Sequence, residues 1–320
     1  MGLSGLKEGS AMSDELKDMV ERGRFKGEIR FDEPLSGHTS LKIGGPVDIM
    51  VFPEDPLSLK NVLRAAAREH IPLFVIGAGT NVLAGDGPIE GIAVSLKAFR
   101  SIEVTQESDE NTAVVFAGAG TPLGMLLGLA RKNGFSGFEP LTGIPGTVGG
   151  AVYMNAGSYG TEIKDLILSV GLMHPQGEIQ VLGKEQLKFS YRRSHFPEGA
   201  VILSANFALA KDDPAGVARL MDEYMAKKKA AQPLAAASAG CVFKNPEGDA
   251  AGRLIDAAGC RGMREGDIEV SPVHANYFIN RGRGTCRDFL VLMGKVRARV
   301  RENSGTELET EVKIIGAMER

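Results

Sequence analysis

The chain has no tryptophan, five tyrosines and three cysteines, and each scarcity excludes something. Binders of single-stranded nucleic acid combine a basic groove with stacking aromatics. Here 37 basic residues face 40 acidic ones, the net charge is -3, and the one sustained basic run is Lys227 to Lys229. Cys241, Cys260 and Cys286 are odd in number, widely spaced and free of any C-x-x-C. That excludes a disulfide framework and a structural zinc site, and a reducing compartment, the cytoplasm, is expected. None of the five histidines stands in metal-ligand spacing with another histidine or a carboxylate cluster. A secretory signal is not expected, because the first residues lack an apolar stretch with basic flanks. Two uncharged runs, 113–130 and 140–161, are broken by Gly, Pro, Thr and Asn. They read as strand, turn and helix starts rather than membrane spans.

What is present is an ordinary globular composition, 43% apolar and 24% charged, in 320 residues, more than one hydrophobic core usually organises. "IGGPVDIMVFPED" alternates like a strand, "LSLKNVLRAAAREHI" has helical spacing, and "PLFVIGAGTNVLAG" is a buried strand running into a glycine turn. The same grammar recurs at "TAVVFAGAGTPLGMLLGLARKNGFSG", with a helix opening at Thr121-Pro122. "EPLTGIPGTVGGAVYMNAGSYG" reads as a glycine-rich loop without helical period. Strands follow in "LILSVGLMHPQGEIQVL" and "AVILSANFAL", with "PQGE" as a hairpin turn. Near Lys211 the pattern shifts to helices in "PAGVARLMDEYMAKKKAAQP", "GDAAGRLIDAAGCRG" and "CRDFLVLMGKVRARVRENSG". A strand is expected over "PVHANYFIN", and another in the tail "TELETEVKIIG".

Several motifs could carry chemistry. "VIGAGTNVLAGD" places G-x-G after a strand, where free backbone N–H groups can meet phosphate, but Val82 stands in place of the third glycine of a dinucleotide fingerprint. A plain tight turn is the competing reading. A second loop, Gly143 to Gly150, lets a ligand approach the backbone, so two such loops could hold a pyrophosphate from two sides. In "SYRRSHF", Arg192 and Arg193 are each surface cations or anion binders. Glu309 and Glu311 share one face of a strand by their spacing of two. Cys241 is either a small buried apolar residue or a reactive one; Gly240, Lys244 and Asn245 around it are unusual for a core. His174 and His195 lie in turn-like sequence, while His274 is a satisfied strand residue or a ligand contact.

Taken in order, "HTSLKIGGPVD", "IGAGTNVL", "GIPGTVGGAVYMNAGSYG", "YRRSHF", "GCVFKNP", "AGRLID", "HANYFIN" and "EVKIIG" resemble the UDP-N-acetylenolpyruvoylglucosamine reductases from about His38 to Gly316. The short spacing after the arginine motif is that of the shorter class, which lacks an inserted tyrosine loop. The resemblance implies an α+β protein with a vanillyl-alcohol-oxidase/PCMH-type FAD-binding fold of two lobes and a C-terminal α+β substrate-binding domain. The expected division is a leader 1–30, partly disordered, lobes 31–98 and 99–210, a substrate domain 211–304, and a strand in 305–320 returning to the FAD-binding region. It implies noncovalent FAD held by Gly77, Ala78, Gly79, Thr80, Asn81 and Val82 and by Gly143, Ile144, Pro145, Gly146, Gly149 and Gly150, with Asn155 and Ala156 beside them. Neither loop contains the histidine through which many oxidases of this fold attach flavin.

The implied reaction is reduction of FAD by NADPH, then hydride transfer to the terminal carbon of UDP-N-acetylglucosamine enolpyruvate. Arg192 would stabilise the developing enolate, Glu311 would share in that, and Cys241 would donate the proton. The donor is usually serine in this family; a thiol with a reference pKa of about 8.5 is still mostly protonated near neutrality and yields its proton more readily. Tyr191, Lys244 and Asn245 would contact substrate, Lys228 its diphosphate, and His274 and Asn276 are further neighbours. Nucleic-acid and membrane partners are not expected. The competing functions are a same-fold oxidase of an alcohol or sugar, and a nonenzymatic FAD- or nucleotide-sugar-binding regulator.

Overall fold

Helix Pro56–Arg68 begins where local chemistry starts one: the Asp55 side chain accepts from the Ser58 backbone N–H at 2.7 Å and Pro56 occupies the first helical position. Leu59, Val62, Leu63 and Ala66 line its buried face. The computed structural model describes residue 19, residues 21–109 and residues 111–316. Most of the expected leader, residues 1–18 and 20, and the end of the tail beyond 316 lie outside the described residues.

The chain forms two compact units: one from residues up to Asp32, Asp48–Gly77 and Gly91–Met225, the other from Glu33–Val47, Ala78–Glu90 and Ala226 onward. In the first unit, helix Pro56–Arg68 connects strand Pro46–Pro53 to Leu73–Val75 in a β-α-β unit, and Leu73–Val75 pairs in parallel with Ile89–Val94, which lies between those two strands in the sheet. An antiparallel sheet runs in the order Ile179–Gly183, Ile167–Met173, Val201–Lys211, Thr112–Gly118, Ile102–Asp109. The "PQGE" turn closes its first hairpin, with the His174 N–H donating to the Glu178 carbonyl at 2.9 Å. Helix Leu123–Asn133 ends at Gly134 in the left-handed conformation.

The stretch expected to be a loop without helix contains one: Val148–Tyr153, capped by the Thr147 hydroxyl, with Val148, Ala151 and Val152 buried. Its glycines hide it from a propensity reading, and burial overrides propensity.

In the second unit Ser238–Cys241, Tyr277–Asn280, Ile268–Val270 and Arg264–Glu265 form an antiparallel sheet in that order. Helix Cys286–Ser304 buries Cys286, Phe289, Leu292, Met293, Val296 and Val300 at helical spacing. Phe278 packs on Phe289 at 5.2 Å between ring centroids and on Phe243 at 6.2 Å. Each such ring removed from water contributes about 1.5–3 kcal/mol. The strand expected over "PVHANYFIN" starts only at Tyr277, because the Ser271 hydroxyl accepts from the Val273 and His274 N–H groups and holds a turn ahead of it. The tail strand, Lys313–Ile315, pairs in parallel with Val82–Ala84. Among the described residues no helix is long and apolar enough to cross a membrane.

Candidate active site

Within the second unit the cysteine motif is built by a bulge. Ser238 pairs with Ile279 and Cys241 with Tyr277, so three steps on one strand oppose two on the other. Gly240 absorbs the extra residue at φ +74, a conformation that disfavours any other side chain. The bulge turns Cys241, half-buried, toward Tyr277. On its other flank the segment 309–312 runs alongside: the Glu311 N–H donates to the Val242 carbonyl at 2.8 Å, and Phe243 bridges Thr310. Cys241, Tyr277 and Glu311 therefore form one group. Burial, the Cys241 sulfur and the Glu311 carboxylate together push the Tyr277 phenol up from its ordinary value.

The neighbouring predicted residues are engaged structurally. Lys244 Nζ meets Glu309 Oε1 at 2.5 Å, which distinguishes the two glutamates: the Glu309 side chain is exposed, whereas Glu311 is half-buried and its carboxylate acts on the Tyr277 phenol. Asn245 Oδ1 accepts from the Ala251 N–H at 3.0 Å and supports the start of helix Ala251–Ala257. Asn276 is buried, and its amide brackets Phe243, accepting from its N–H at 3.0 Å and donating to its carbonyl at 2.7 Å. His274 packs edge-on against Tyr277 at 4.9 Å, and burial holds its imidazole below the usual range. Lys228 is buried near the end of helix Pro214–Ala231, where desolvation lowers its ammonium to about 8. The remaining thiols are core: Cys260 and Cys286 are buried, and burial pushes Cys286 up to about 12.

Within the first unit, Tyr191 and Arg192 form the two-residue loop between Lys188–Ser190 and Arg193–His195. Arg192 has φ +56, a strained position for a non-glycine residue that costs on the order of 1–3 kcal/mol. It donates to the Gly157 carbonyl at 2.9 Å, lies 3.7 Å from Glu162 and stacks on the Tyr191 ring at 4.8 Å. Arg193 is exposed on the hairpin strand, so the two arginines that the sequence left equivalent differ. Asn155, fully buried, donates to Glu162 at 2.9 Å and to the Ser190 carbonyl at 3.1 Å. Its side chain braces the arginine loop, and the N–H groups of Asn155 and Ala156 donate to the Val152 and Ala151 carbonyls at 3.1 and 2.8 Å.

The glycine loops have the form a diphosphate requires. Between Gly77 and Val82 and between Gly143 and Gly150 there is no charged side chain; the polar groups are the backbone, the Asn81 amide and the hydroxyls of Thr80 and Thr147, and the N–H groups of Val148, Gly149 and Gly150 donate within the chain. In the first unit, a Cβ on Gly77 would stand 2.7 Å from Thr147 Oγ1. In the second, Gly79 has φ +63, and a Cβ there would meet the His38 carbonyl at 2.0 Å. Val82 continues into the strand paired with Lys313. These residues fit FAD: the donors suit its diphosphate, and no loop histidine is present for covalent attachment.

Residues 232–315 match the family model for the C-terminal domain of UDP-N-acetylenolpyruvoylglucosamine reductase, and residues 47–183 match an FAD-binding domain. A Geobacter sulfurreducens UDP-N-acetylenolpyruvoylglucosamine reductase is 41% identical over 305 residues, covering 95% of this chain and 99% of that one. The chain belongs to the UDP-N-acetylenolpyruvoylglucosamine reductase family. The Rubrobacter xylanophilus reductase is 43% identical over 290 residues, 90% of this chain and 95% of its own. The crystal structure of the Thermus caldophilus reductase superposes with a TM-score of 0.77 at 34% identity, covering 91% of this chain and 99% of that one. The fold is accordingly the α+β, FAD-binding architecture with a C-terminal substrate domain. As a member of this reductase family the protein is an FAD-dependent oxidoreductase of peptidoglycan precursor synthesis. Tyr277 is the residue at the site that sequence reasoning passed over; its place opposite Cys241 depends on the Gly240 bulge.

Proposed function

We propose that this protein reduces UDP-N-acetylglucosamine enolpyruvate to UDP-N-acetylmuramate in the cytoplasm, with NADPH as reductant and Cys241 as proton donor. FAD, when bound noncovalently by the loops 77–82 and 143–150, supplies the hydride chemistry between NADPH and the terminal methylene of the enolpyruvyl group. The chain's residues handle the charge and the second proton. As that carbon gains hydrogen, the double bond's electrons move toward the adjacent carbon and its carboxylate, and Arg192 holds the enolate that develops. Cys241 then gives its thiol proton to the adjacent carbon, the S–H bond breaking as the C–H bond forms, and solvent reprotonates the thiolate. Glu311 shares in stabilising the intermediate. Tyr191, Lys244, Asn245, His274 and Asn276 line or shape the substrate site, and Lys228 serves the diphosphate. In this reading 31–98 and 99–210 are the FAD-binding lobes, 211–304 the substrate domain and 305–320 the returning segment.

The observation that carries the reading is the grouping of Cys241 with Glu311 and Tyr277 in a chain of this family. The experiment is anaerobic mixing of the holoenzyme with NADPH while following visible flavin absorbance, then adding UDP-N-acetylglucosamine enolpyruvate. Bleaching followed by substrate-dependent recovery without oxygen is the expected result. Bleaching that only oxygen reverses overturns it in favour of an oxidase.

A further inference from the structure

Tyr277 has no place in the proposed chemistry, yet it stands directly opposite Cys241 across the sheet, and the sulfur is one of the groups that act on its phenol. Three features make that placement more than incidental. The register pairs the two residues across the strands Ser238–Cys241 and Tyr277–Asn280, and the bulge at Gly240 is what brings them opposite. The His274 ring packs against Tyr277 at 4.9 Å and 63°, and accepts from the Asn276 N–H through Nδ1 at 3.3 Å, so the phenol ring has a fixed neighbour of its own. Burial and the adjacent acidic groups hold the phenol protonated, so it faces the sulfur as a donor throughout the neutral range.

We infer that Tyr277 is a positioning residue for proton transfer: its O–H donates to Cys241 Sγ, orients the thiol and holds the thiolate left when the proton moves to substrate carbon. The inference rests on the reading of Cys241 as the proton donor. In the step, the S–H bond breaks, the C–H bond forms, the phenol keeps its own proton, and solvent restores the thiol. A donor facing a thiolate favours the charged form and so makes the thiol a better acid, whereas Glu311 acts in the opposite sense. Tyr277 comes from the strand paired with Cys241, and Glu311, from the 309–312 segment, acts on the phenol. Lys244 is neutralised by Glu309, and His274 reaches Tyr277 with Arg261 beyond it.

The test is Tyr277→Phe in the holoenzyme, which keeps the ring and its contact with His274. The pH dependence of Cys241 alkylation by iodoacetamide, read by mass spectrometry of the Cys241 peptide, should move upward by about one pH unit. Substrate-driven flavin reoxidation at neutral pH should slow about tenfold, and in a Cys241→Ser background, where no thiolate forms, the same change should slow it less than about threefold. Superposed alkylation profiles, or equal slowing in both backgrounds, overturn the role of Tyr277 and leave Cys241 as donor. Conversely, a Cys241→Ala variant that reoxidises at the parent rate overturns the donor reading while an alkylation shift in Tyr277→Phe still stands.

Discussion

Arg192 lies 3.7 Å from the Glu162 carboxylate while donating to the Gly157 carbonyl at 2.9 Å, from a left-handed backbone position. The guanidinium is thus fixed at a hairpin tip rather than swinging in solvent. Lysine would keep the charge and lose the fork of donors. Arg192→Lys should slow substrate-driven flavin reoxidation about a hundredfold and leave reduction by NADPH in place. Stopped-flow measurement of the two half-reactions checks this, and parent-rate reoxidation would remove Arg192 from enolate stabilisation.

Cys241→Ser should retain substantial turnover, because an alcohol can serve as the donor. Cys241→Ala should lose substrate reoxidation by about a hundredfold or more with flavin reduction by NADPH intact. Among the three thiols, Cys241 is the half-buried one, and Cys260 and Cys286 are buried with their thiols held up. Iodoacetamide at mildly alkaline pH should therefore label Cys241 first; prior labelling of Cys260 or Cys286 in the folded protein would contradict this packing.

Lys228 carries a lowered pKa of about 8 against its ordinary 10.5. Below about 8 both folded and unfolded chains hold the proton, and between 8 and 10.5 the unfolded chain holds more, so this residue's contribution to stability rises with pH across that window. Denaturant unfolding of parent and Lys228→Met should diverge in that sense. Binding a diphosphate would restore the charge. Calorimetry of UDP-sugar binding just above pH 8, in buffers of different ionisation enthalpy, should show proton uptake that Lys228→Met abolishes.

Asp86 accepts from the backbone N–H groups of Cys286 at 2.7 Å and Arg287 at 2.9 Å, at the start of helix Cys286–Ser304. Asp86→Ala should destabilise the second unit by about 1–2 kcal/mol, read from the midpoint of urea unfolding. Thr285 and Asp288 still form their capping box in that variant, so the helix should shift in stability and not disappear.

Much of this architecture is written in local patterns. The capped helix Pro56–Arg68, the strand-glycine turns and the αL stop at Gly305 each follow from neighbouring residues. Arg192, Cys241 and Glu311 stood out by residue type within recognisable motifs. Long-range facts were not legible. Tyr277 meets Cys241 because a one-residue bulge sets the register of strands far apart in sequence, and the strand period alone cannot supply that phase. Helix Val148–Tyr153 is six residues long and opens on glycines, too short for periodicity to reveal. Ala78–Glu90 groups with residues from 226 onward through the pairing of Val82–Ala84 with Lys313–Ile315, which no local window contains.

That last pairing orders events in time. Asn81 donates its side-chain amide to the Glu311 carbonyl 230 residues away, and the strand beside Val82 is supplied by Lys313–Ile315. On the ribosome, the 78–82 loop emerges long before the strand that braces it, so closing this contact must await synthesis of the chain through Ile315. Nascent chains that stop short of Lys313 therefore carry the glycine loop without its lateral support.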